Sequence, residues 1–152
     1  MIHTDEKREN IVDSLDELIE ILEDGKLGYT NAAEHITSPA LKTDFLQYAR
    51  ERSLFIVELQ DEINRLGKST EIAGGGPLGA LHRTWIDIKS TFTSGDDDAI
   101  LGACITGEEF AIENYNIVLE KQILEPNQIT LVSKQLQSIK NTLAKLNAKK
   151  LS

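Results

Sequence analysis

Cysteine is almost missing from this chain of 152 residues: Cys104 stands alone, so no disulfide can close within it. A single thiol suits a reducing compartment, and a cytoplasmic location is the expectation. Aromatic residues make up only 5%, so aliphatic side chains must fill any core. Basic residues are in deficit, 16 against 25 acidic, for a formal net charge of −9. Nucleic acid and anionic membrane surfaces both require a basic face, so neither is expected as a partner. No apolar run is long enough to span a bilayer. The N-terminal MIHTDEKREN is charged and lacks the apolar stretch of a secretory signal. No segment alternates convincingly with period two, so no sheet is expected.

The few prolines are informative because of where they stand. Ser38-Pro39, Gly76-Pro77 and Glu125-Pro126 each precede a helical pattern, and the first helical turn is where a missing N–H does no harm. Ser38 is in addition a good N-cap. A further start lies at Ser94-Gly95-Asp96-Asp97-Asp98, where carboxylates suit the positive end of the helix dipole.

Four long stripes follow. Leu15, Leu18, Leu22, Gly25, Tyr29, Ala32 and Ile36 recur by threes and fours in a helix over about residues 5–36. Leu41, Phe45, Tyr48, Arg52, Phe55, Leu59 and Leu66 do so over 39–66. A third stripe, over 96–124, holds Leu101, Cys104, Glu108, Ala111, Tyr115 and Val118. A fourth, over 126–148, is wholly apolar: Ile129, Val132, Leu136, Ile139, Leu143 and Leu146. A recurrence near 3.5 residues belongs to helices packed at shallow angles. The first two helices are joined by a tight turn, as are the last two, so each pair runs antiparallel. Between the pairs lie about residues 67–95, which begin with EIAGGGPLG and then carry Leu78, Leu81, Trp85, Ile88 and Phe92 on one face of a shorter helix over 77–92. The expected fold is therefore all-α: one ferritin-like four-helix bundle domain over 1–152, two antiparallel hairpins joined by a long crossover that contains a fifth helix.

DELIEILEDGKLGYTNAAE, ARERSLFIVELQDEINRLG, GALHRTWIDIKS and GEEFAIENYNIVLEK together resemble a bacterial family of ferritin-like four-helix bundles known as a domain of unknown function. The resemblance runs from about Ile11 to Leu146, and its most specific piece is Gly79-Ala80-Leu81-His82-Arg83 with Trp85 close behind. It implies the bundle and supplies no catalytic residue.

A di-iron centre in such a bundle needs a Glu from each of two helices and Glu-x-x-His from each of the others. Glu51 begins such a motif, but Leu54 stands where the histidine belongs. Glu109 and Glu113 are followed three residues on by Ile112 and Asn116. From Asn127 to Ser152 there is no Asp, Glu or His, only weak donors such as Gln135, Gln137 and Asn141. No metal or other cofactor is expected. Were iron or manganese held, Asp24, Glu51, Glu108 and Glu109 would be its ligands.

Arg52 and Glu108 instead stand on inward stripes near mid-bundle, where an unpaired charge is costly. They are expected to pair, with Glu51 or Asp24 sharing the guanidinium. With His82 and Tyr115 they make up the expected polar core, His82 anchoring the crossover helix. Cys104 reads as a buried, inert thiol. The first helix is acidic, whereas the chain after Pro126 carries only lysine charge; this asymmetry would suit a homo-oligomer, a dimer in the simplest case. The expected function is that of a small non-catalytic bundle acting through protein association or stress-related binding. The alternative is a metal-dependent oxidase or metal-storage protein with a degenerate carboxylate site.

Overall fold

The computed structural model describes residues 2–68 and 95–151, with side chains for 5–68 and 95–150. Among these residues the chain forms four helices and no strand: α1 (Ile2–His35), α2 (Pro39–Arg65), α3 (Asp97–Glu120) and α4 (Pro126–Leu151). The expected crossover helix over 77–92, with His82 and Trp85, lies outside the described residues.

Local chemistry sets the boundaries. Ser38 caps α2, its hydroxyl accepting from the Leu41 N–H at 3.3 Å, with Pro39 in the first turn. Asp96 caps α3 by accepting from the Ala99 N–H at 2.9 Å. At α4 the Gln128 side chain reaches back to accept from the Glu125 N–H at 2.8 Å, the reciprocal half of a capping box. The α2 terminus turns on Gly67, whose φ of 80° suits a residue without a Cβ. There the Gly67 and Lys68 N–H groups donate to the Asn64 and Ile63 carbonyls at 2.9 and 3.2 Å, a Schellman closure. α3 stops at Glu120, short of where the apolar stripe predicts, because Gln122 takes a φ of 56° and redirects the chain toward Pro126. α4 runs on to Leu151, beyond the last apolar residue of its stripe, and Lys149 and Lys150 occupy its final turn, where cations suit the dipole.

Contacts at the ends give the directions. The Asp97 carboxylate, at the start of α3, accepts from the Thr37 N–H, the Thr37 hydroxyl and the Ser38 N–H at 2.8, 2.7 and 3.0 Å, clamping the α1–α2 turn. Those three donors hold the Asp97 pKa below its ordinary value. Arg65, at the end of α2, reaches Glu125 just before α4. Lys150, at the end of α4, pairs with Asp98 at 2.7 Å. So α1 and α4 point one way, and α2 and α3 the other. Lys68 and Gly95 consequently lie at opposite ends of the bundle. Side by side, α1 packs on α2 and α3, and α4 on α3 and, more loosely, α2. The pairs α1/α4 and α2/α3 stand diagonally.

The core divides into two apolar clusters. One joins Ile11–Leu22 of α1 to Ile56, Leu59 and Ile63 of α2, Ala111–Val118 of α3 and Val132–Ile139 of α4. The other joins Tyr29–Ile36, Leu41–Ala49, Ile100–Cys104 and Leu146. Between them along the helices fall Arg52, Glu108 and Thr142. In α2 the inward stripe drifts from its sequence reading: Phe55 is only half-buried, and Ile56 and Ile63 are buried instead. A straight helix turns 3.6 residues per turn, so a strict 3.5 alternation slides off the core over several turns.

Candidate functional site

The polar layer at mid-bundle is built on Arg52 and Glu108, each 1% exposed. They stand on the diagonal helices α2 and α3, so only long side chains can meet. Arg52 Nη2 donates to Glu108 Oε2. Tyr29 flanks the pair from α1, its ring centroid 5.8 Å from the Arg52 guanidinium carbon. Its hydroxyl donates toward Glu108. Tyr48 meets Tyr29 edge-on at 5.3 Å between centroids. Arg52 Nε is buried without a hydrogen-bond partner among the described residues.

Electrostatics follows from burial. Desolvation raises the Glu108 carboxyl, and the Arg52 charge and the Tyr29 hydrogen bond pull it back only in part. Burial works most strongly against the Arg52 charge, but Glu108, with Tyr29 and Tyr115 adding to it, together outweigh burial, so the guanidinium stays protonated. Burial also pushes up Tyr29, Tyr115 and the Cys104 thiol. Cys104 is therefore a poor nucleophile at neutral pH, since the thiolate is the reactive form.

Other sequence-selected residues fall elsewhere. Glu51 is half-buried and accepts from the Ser138 hydroxyl of α4; this gives it a partner other than Arg52. Its charge still contributes to raising the Glu108 pKa. Asp24 is buried on α1, while Glu109 is exposed on α3. Tyr115 is buried and donates to Gln135 Oε1 at 2.8 Å. His82 is not among the described residues. Leu54, in the place of a missing histidine, is 62% exposed and faces away from the core.

The sequence reading missed a seam of amides. Gln128, Gln135 and Thr142 are buried on α4, spaced by seven. The Gln135 amide donates to the Phe55 carbonyl at 3.2 Å and to Glu58 at 3.1 Å, while its carbonyl serves Tyr115. Gln128 and Asn127 each donate to Glu62 Oε1 at 3.0 Å. With Ser138 on Glu51, α4 thus meets the carboxylates of α2 at three levels through neutral donors. This accounts for the absence of acid in α4: a carboxylate there would face Glu51, Glu58 or Glu62. The heptad spacing of Gln128, Gln135 and Thr142 was the available signal. Gln137 and Asn141 bond to each other at 3.0 Å on the surface.

These donors do not fit a di-iron centre. A guanidinium sits where a cation pair would need carboxylates, and α4 offers only amides and hydroxyls. No group of three or more His, Cys, Asp or Glu side chains arranged to hold a metal occurs among the described residues. Nor is any of their helices long and apolar enough to cross a membrane.

None of the curated proteins matches the chain. Residues 10–121, from α1 through the Lys121 cap of α3, match the family described as "Domain of unknown function (DUF2383)", and α4 lies beyond the match. The chain belongs to that family of unknown function.

Proposed function

We propose that this chain is a ferritin-like bundle of bacterial, cytoplasmic type that works as a non-catalytic scaffold, associating with a second copy of itself. The observation that carries the reading is the Arg52–Glu108 pair at mid-bundle. A cationic side chain sealed against its own carboxylate repels metal ions, and neither group of the pair is exposed to attack a substrate. The parallel course of α2 and α3 supports the ferritin-like topology, in which the two hairpins are joined by one long connection. The contrast between acid-rich α1 and lysine-bearing α4 supports association, because one copy's α4 complements another's α1.

The test has two arms. Protein purified without chelator is assayed for iron and manganese, and its mass is followed by light scattering across a concentration series. The reading expects no stoichiometric metal and a dimer that weakens with added salt. Tight iron retained through gel filtration would overturn the non-metal reading. A monomer at all concentrations would overturn self-association.

A further inference from the structure

Large apolar side chains are unevenly spread over the surface. Of the six exposed ones among the described residues, three stand on α2: Leu46, Leu54 and Val57, at 41%, 62% and 52% exposure. At about 100° per residue these three fall within an arc of about 80° around the helix, and Arg50 and Asp61 fall in the same arc. α1 and α4 pack on other sides of α2 and leave this stripe uncovered. Arg50 and Asp61 are exposed, and neither enters an ion pair among the described residues. Arg50 reaches only Gln47 of its own helix, at 3.3 Å. Arg50 and Asp61 stand three turns apart, about 16 Å along the axis, so they do not meet within one copy.

The order of residues along the stripe singles out a second copy as the occupant. Leu54 and Val57 are centred on the peptide bond between Phe55 and Ile56, and Arg50 and Asp61 share that centre. A two-fold axis through that point, across the helix, lays two α2 helices antiparallel. It sets each Leu54 against the other copy's Val57, and each Arg50 against the other copy's Asp61. A two-fold contact must be complementary to itself. Here apolar meets apolar and cation meets anion on both sides of the axis. We propose that two copies associate through the outer face of α2, antiparallel, with an Arg50–Asp61 ion pair at either end of a Leu54–Val57 centre. A parallel arrangement would set Arg50 on Arg50 and Asp61 on Asp61, which like-charge repulsion disfavours. Leu46 falls opposite Arg65, whose aliphatic stem covers it. This inference rests on the self-association reading above and places the contact on α2, between the flanks of α1 and α4. One helix face is small beside a standard interface of about 1,600 Å², so the dimer is weak, with a Kd of about 10–100 µM.

Sedimentation equilibrium of the full chain over a concentration series tests the assignment by charge exchange. Arg50→Glu alone sets a carboxylate against Asp61 twice in each dimer and should weaken association at least about tenfold. Asp61→Lys alone should do the same. The two changes together restore both pairs with their signs reversed, and should return the Kd to within about threefold of the parent. Leu54→Gln should also weaken the dimer by about tenfold, through the apolar centre. All three residues are exposed, so circular dichroism should show the same helix content in every variant. A dimer that neither charge change weakens, or a double variant no tighter than the single ones, would overturn the α2 face. Self-association would then still stand, with its contact elsewhere, as between α1 and α4. A parent chain that is monomeric at every concentration would overturn self-association and the α2 contact together.

Discussion

Arg52 and Arg65 stand on the same helix and both hold carboxylates, yet their surroundings differ in almost every respect. Arg52 is 1% exposed and meets Glu108, equally enclosed. Arg65 is 52% exposed and serves Glu62 and, at 3.1 Å, Glu125. Water and salt can replace the partners of Arg65 at little cost. Nothing can replace those of Arg52, because removing either partner strands a charge in a dry interior. The comparison teaches that an ion pair's importance to a bundle lies in what happens when it is broken, and less in the net stability it adds. It also locates the specificity of this fold. A continuous apolar core would allow the helices to slide by a turn, whereas a charge pair on the diagonal between two apolar clusters permits one register, which is our hypothesis for its role.

The largest expected effect breaks the buried side of that comparison. Arg52→Ala leaves Glu108 uncompensated and should cost about 3–5 kcal/mol in urea unfolding. Replacing Arg52 by Met together with Glu108 by Leu should cost much less, since no buried charge remains. A single Arg52→Ala variant as stable as the parent would show that the pair is solvated in solution.

A neutral version of the same break comes next. Gln135→Leu leaves the Tyr115 hydroxyl without its acceptor and frees Glu58. The cost should be about 1–3 kcal/mol. Adding Tyr115→Phe should recover part of it, because the stranded hydroxyl is then gone. If the double variant is less stable than the single one, the two side chains are not coupled as described.

A buried carboxyl that forms no ion pair among the described residues sharpens the comparison through pH. Glu20 is raised from 4.5 to about 7 by burial first, then by Asp24, Asp16 and Glu17. Below pH 4.5 it is protonated whether the chain is folded or not. Between pH 4.5 and about 7 the unfolded chain gives up this proton while the folded chain keeps it, so stability falls across that interval and the loss is complete above it. Glu20→Gln should therefore raise the melting temperature at about pH 8 and leave it unchanged at about pH 4. A gain of equal size at both pH values would point to packing rather than ionisation.

The smallest effect is expected at the exposed end. Arg65→Ala should change stability only slightly, and the change should vanish in about 1 M salt, where the Debye length is about 3 Å. The corresponding loss at Arg52 should persist there. Equal salt sensitivity at the two sites would remove the distinction between them.

Much of this was legible before any coordinates. The Leu15–Leu18–Leu22 and Val132–Leu136–Ile139 recurrences show helices because only a helical turn brings such residues onto one face. Ser38-Pro39 and Glu125-Pro126 mark two starts through the missing N–H, and Arg52 and Glu108 stand out because charge on an apolar stripe needs a reason. The ends of α3 and α4 were less legible. A turn at Gln122 with positive φ has no glycine to announce it, and α4 runs past Leu146, the last residue of its apolar stripe, to Leu151.

By itself the sequence determined the four described helices, most of their inward faces and the polar intruders Arg52 and Glu108 on those faces. Only the tertiary structure decided who meets whom. Arg52 and Glu108 are paired by the diagonal placement of α2 and α3. Glu51 is drawn to Ser138, and Gln135 joins Tyr115 to Glu58. The physical reason is that periodicity is a property of one helix, fixed by its own backbone turn. A partner across the bundle depends on how several helices pack together, and no local pattern encodes that distance.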